Sequence, residues 1–170
     1  MGYDTDFVGC FNVTPTLKPE HATYLEKFSE TRRMERDASK AELLDDPVRV
    51  ATGLAIGEEG GYFVGGGGLA GQDHDASVLN YNTPPDGQPG LWCNWAPASG
   101  GTTIEWNEGE KFYKYIEWIK YLIERFLKPW GYSLNGTVEW TGEDSEDRGR
   151  ICITDNVVRI QKAVVTWQDE

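Results

Sequence analysis

The stretch 110–130, EKFYKYIEWIKYLIERFLKPW, constrains the chain more than any other. Apolar residues fall at Phe112, Tyr115, Ile116, Ile119, Leu122, Ile123 and Phe126, the spacing of one helix face. The opposite face carries Lys114, Glu117, Lys120, Glu124 and Lys128, which pair at i+3 or i+4. Pro129 cannot continue the helix, and Gly131 suits a left-handed turn beyond it. A helix with such a face needs a second layer to cover it, and the flanking sequence supplies strands. Phe7, Phe11 and Val13 alternate with polar or small residues in FVGCFNV. Leu134–Trp140, Arg150–Thr154 and Val157–Thr166 read as three further strands, with Asp155-Asn156 as a turn. LWCNWAP, at 91–97, and Thr102–Trp106 read as an antiparallel pair across Ser99-Gly100-Gly101. The expected fold is α+β: a mostly antiparallel sheet of five or six strands, with one long and one shorter helix packed on one face. The shorter helix is expected over Pro19–Arg33, a second short one over Ser39–Leu44, and a short strand at Tyr62-Phe63-Val64. At 170 residues the chain suits a single domain, 1–170, with a glycine-rich acidic loop region at about 53–90.

Charge is the feature that bears on function. The net charge is −12, and its distribution is uneven. Residues 50–110 carry eight acids and no lysine or arginine, whereas 111–170 carry ten acids and nine bases. Such a surface repels nucleic acid, anionic lipid and polyphosphate, so the expected partner is a protein with a neutral or basic surface. Arg32, Arg33 and Arg36 cluster at the C-terminal end of the first helix, where the negative end of the dipole favours cations. They are expected to be a solvated helix end rather than an anion site. No apolar run approaches a membrane span, and MGYDTDF does not read as a secretion signal, so a cytosolic location is expected. Cys10, Cys93 and Cys152 are widely spaced and are expected to be reduced and buried.

Several strings in the chain are similar to a known family. FSETRRM (28–34), EEGGYFVGG (58–66), YNTPPDGQPGLWCNW (81–95) and the block 110–140 resemble an uncharacterised family of small proteins from tailed bacteriophages and prophages. The resemblance supplies no catalytic residues. It implies a setting, the cytosol of a bacterial host, where small phage proteins often bind and inhibit a host protein.

Candidate chemistry is sparse. Gly66-Gly67-Gly68-Leu69-Ala70-Gly71 matches GxGxxG, but carboxylates and prolines follow it where a phosphate-binding helix would have to open. Asp73, His74 and Asp75 are weak metal candidates, because one extended tripeptide splays its side chains apart. No cofactor is expected. Cys93 with His74, as nucleophile and base, and Asp73 form the alternative reading, a small enzyme or ligand-binding domain with a tryptophan-lined pocket. Tyr62, Tyr81, Asn82, Trp92 and Trp95 would line that pocket, although core packing of the tryptophans is the plainer expectation. The leading expectation is a non-enzymatic, phage-type accessory protein. It would bind a host or phage protein through Glu58, Glu59, Asp73, Asp75 and Asp86 and so inhibit a defence or nucleic-acid-processing protein. The sequence leaves the oligomeric state open.

Overall fold

The computed structural model of the chain describes residues 2–65 and 75–170. Its main layer is a six-stranded antiparallel sheet, as the alternation predicts. In chain order the strands are β1 (Thr5–Thr14), the short pair β2 (Glu35–Arg36) and β3 (Val78–Asn80), then β4 (Trp95–Ala98), β5 (Thr103–Trp106), β6 (Ser133–Gly142), β7 (Arg148–Thr154) and β8 (Val157–Lys162). The main sheet runs β4-β5-β1-β6-β7-β8, and β2 and β3 form a separate two-stranded sheet. β1 lies at the centre. Its whole length pairs with β6, from Thr5 opposite Gly142 to Thr14 opposite Ser133. Alternation places Phe7, Phe11 and Val13 of β1 on the buried face, with Leu134, Val138 and Trp140 of β6 and Ile151 and Ile153 of β7.

That face is covered by helix α1 (Pro19–Glu30) and helix α4 (Tyr115–Leu122). Between them in the chain lie the short helices α2 (Ala38–Ala41) and α3 (Pro47–Thr52). α1 starts with Pro19 in its first turn and buries Tyr24, Leu25 and Phe28. α4 buries Trp118, Ile119 and Leu122, then passes directly into a π-helical turn over Ile123–Leu127 that buries Ile123, Phe126 and Leu127. The Lys128 N–H donates to the Ile123 carbonyl at 2.8 Å, the i→i−5 bond of a π turn. Pro129 accounts for its position. The ring has no N–H for the Arg125 carbonyl and would crowd it, and a wider turn removes that conflict.

Several expectations are corrected. The long helix starts at Tyr115 rather than 110, because Lys111 and Lys114 take left-handed backbone angles, φ 54° and 57°. Phe112 still reaches the core, from a loop. Of the expected surface pairs, Glu124–Lys128 is present at 4.0 Å, with both side chains largely exposed. Tyr62-Phe63-Val64 is not a strand. Its amides turn back on nearby groups, Tyr62 to Ile56 O and Phe63 to Gly60 O, and Val64 donates to the Asp46 carboxylate. A further short helix, α3, begins at Pro47. The first helix ends at Glu30, so the arginines after it lie on extended chain. Cys93 is buried as expected, but Cys10 and Cys152 are only partly so.

Candidate functional site

The three arginines decide how the middle of the chain is held. Arg33 and Arg36 are each 2% exposed, so the expected solvated helix end is overturned. Arg33 lies over the Phe28 ring, with its guanidinium carbon 4.1 Å from the centroid. Its Nη2 donates to the Gly61 carbonyl at 2.8 Å and its Nε to Gln88 Oε1 at 3.2 Å. Its own backbone N–H donates to Leu91 O. Arg36 lies over Phe63 at 4.2 Å, and its Nη1 donates to Asp75 Oδ2 at 2.8 Å and Ser77 Oγ at 2.7 Å. Arg32 stacks on Tyr81 at 4.2 Å and donates to Tyr81 O and Asn82 Oδ1. Side chains from one short segment thus reach residues 61, 75–77, 81–82 and 88. Burial pushes the Arg33 guanidinium below its ordinary value, and no carboxylate pairs with it among the described residues.

Above this network lies a hollow of about 450 Å³ between residues 57–62, residues 86–88 and α4 with its π turn. Tyr62 and Tyr121 line it, Gln88 sits deep in it, and Glu58, Asp86 and Arg125 border it. The Gln88 amide nitrogen donates to Gly61 O and to the Tyr121 hydroxyl. Glu59 lies beside the rim and its carboxylate accepts the Asp86 N–H at 2.7 Å. Burial pushes the Tyr121 hydroxyl up to about 12, so it stays neutral throughout the physiological range. Two carboxylates over two phenol rings suit an ammonium or guanidinium group. The exposed Arg125, 5.7 Å from the Tyr121 centroid, weakens that preference without reversing its sign.

The expected site residues divide. Glu58, Glu59, Asp86 and Tyr62 come together around the hollow. Asp75 does not join them. It is committed to Arg36 and Ser77; desolvation pushes its carboxyl up, but those hydrogen bonds and the Arg36 charge together hold it below the usual range. Tyr81 and Asn82 are occupied with Arg32. Trp92 borders a different hollow with Pro89, Leu91 and Tyr113. Trp95 is a core residue, 1% exposed, packed edge-on against Phe7, Phe11 and Phe112. The five aromatic and amide candidates therefore do not converge on one pocket. Cys93 is fully buried and burial pushes its thiol up to about 12, which leaves no thiolate at neutral pH. The alternative reading loses its nucleophile. Asp73, His74 and the GxGxxG segment lie outside the described residues. Among the described residues no group of three His, Cys, Asp or Glu side chains is placed to hold a metal, and no helix is long and apolar enough to cross a membrane.

Tyr121 and Arg125 were missed because they sit between the apolar stripe and the charged face of the helix. The sequence signal that could have found them is the π turn's displacement of that stripe, which appears only once Pro129 is weighed as a constraint on the preceding turn. No protein-family model matches the chain, and neither a curated protein nor a solved structure is similar to it.

Proposed function

We propose that the chain is a non-enzymatic accessory protein of the tailed-phage type that binds another protein through the acidic rim of this hollow. The observation that carries the reading is that Glu58, Glu59 and Asp86 sit on chain tied down by a buried arginine network. Carboxylates fixed in this way present a charge pattern with little ordering entropy left to lose on binding. The partner is expected to carry a basic or neutral surface, with a lysine or arginine side chain entering between Tyr62 and Tyr121. The resemblance to phage proteins adds the setting, a bacterial cytosol, and the class of target, a host defence or nucleic-acid-processing protein held inactive.

The test compares the tagged chain with the Glu58→Lys/Asp86→Lys variant in capture from bacterial lysate, at low and at physiological salt. One stoichiometric partner is expected on the unaltered chain, with retention falling about tenfold as salt rises and a similar loss on the variant at low salt. Near-UV circular dichroism checks that the variant is folded. Equal retention by a folded variant, or no partner at either salt, contradicts the proposal.

A further inference from the structure

β8 is the outermost strand of the sheet, paired on one side with β7. The Ala163 N–H donates to Arg148 O, which fixes which way each residue's backbone points. Residues 157, 159, 161 and 163 turn their N–H and C=O groups towards β7, and Val158, Ile160 and Lys162 turn theirs to the free edge. An unpaired edge of this kind is a template for another strand.

The segment that follows is unusually apolar for a surface. Val164 is 83% exposed and Trp167 is 94% exposed, with Val165 and Val157 also in solvent. Charge along 157–170 is also ordered. Arg159 and Lys162 come first, Asp169 and Glu170 last. An antiparallel pairing of the segment with itself therefore sets bases against acids.

We infer that β8 and residues 163–170 pair with the same segment of a second copy, about a two-fold axis at Val164, so that one antiparallel sheet runs through both molecules. In this register Ile160 lies opposite Gln168, Lys162 opposite Thr166 and Val158 opposite Glu170. These positions share the parity of the outward-facing backbone groups. Arg159 lies opposite Asp169, twice by symmetry, and no like charges face each other. Trp167 of the second copy comes opposite Gln161, which in turn neighbours Arg150 of β7. The open face there holds a hollow of about 340 Å³ bordered by Arg148, Arg150, Gln161 and Ala163, where an indole can lie against a guanidinium. Folding back onto its own strand is not open to the segment, because the reversal would fall at Val164-Val165, and β-branched residues resist the left-handed angles of a tight hairpin turn.

Sedimentation velocity on the full chain tests this with Arg159→Asp, Asp169→Arg and the double exchange. Both positions are exposed. The unaltered chain is expected to dimerise below about 100 μM, a free energy within reach of such a strand pair. Each single reversal should raise the dissociation constant about tenfold, since two cross-strand attractions become two repulsions, and the double exchange should restore it. A monomer at all concentrations overturns the inference. So does a dimer indifferent to the single reversals, or a double variant no better than either single one.

Discussion

Arg33 is a charged side chain in the interior with no carboxylate paired to it among the described residues, and neutral acceptors serve it instead. The Gly61 carbonyl and the Gln88 side chain receive two of its N–H groups, and the Phe28 ring covers its face. Its Nη1 has no partner among the described residues, nor does Nη2 of Arg36. An arrangement of this kind is costly to set up and more costly to break, because removing one member strands the others. Arg33→Met keeps most of the packing volume and removes both donors. It should lower stability by about 1–3 kcal/mol, through the unsatisfied Gln88 acceptor. Urea unfolding of the two proteins measures the difference. An unchanged midpoint would mean that the guanidinium is not held at these atoms.

At the scale of elements, the β7–β8 hairpin shows what one residue in a turn can hold together. Asp155 and Asn156 take φ 48° and 67°, the left-handed pair of a two-residue hairpin. Asn156 also ties the hairpin to β6 and the chain before it. Its Oδ1 accepts the Leu134 N–H at 2.7 Å and its Nδ2 donates to Tyr132 O at 3.0 Å. Asn156→Gly keeps the backbone angle and deletes both bonds, an expected loss of about 1–3 kcal/mol in thermal or urea unfolding. Asn156→Ala should lose about 1 kcal/mol more, for the strain of a left-handed alanine. The turn was legible in the sequence, and so were the strands around it, because alternation at Phe7, Phe11 and Val13 or at Ile151 and Ile153 is a local signal. The inner stripe of α4 was legible for the same reason. Its beginning was not, since Lys111 and Lys114 adopt left-handed angles that their side chains do not announce. The strand expected at Tyr62-Phe63-Val64 had three good strand formers and, among the described residues, no strand paired with it; Asp46 takes the Val64 and Gly65 amides instead. The burial of Arg33 and Arg36 was beyond local reading altogether. Whether an arginine is solvated or buried depends on the carbonyls and rings that the rest of the fold brings to it, and here those come from residues 61, 63, 75, 77 and 88.

For the whole molecule, the consequence is a division of faces. α1 and α4 cover one side of the sheet, and the other side carries Arg148, Arg150 and Arg159 in solvent. The base-free stretch 50–110 supplies the carboxylates of the hollow beside α4. The open sheet face mixes its charges, with these arginines at its β7–β8 end and Asp6 and Glu139 on β1 and β6, whereas the loop-built face is acidic, and each proposal concerns one of the two. The acidic face is useful for recognition only if its loops are fixed before any partner arrives. Hydrogen–deuterium exchange on the free protein addresses that directly. The amides of Tyr62, Phe63, Gly65 and Gln88 donate to Ile56, Gly60, Asp46 and Pro85 within the fold. They should be protected to within about tenfold of the amides of β6, and Arg33→Met should release them while β6 stays protected. Exchange of these amides at the rate of an unstructured peptide, in a protein whose β6 is protected, would contradict a fixed acidic face.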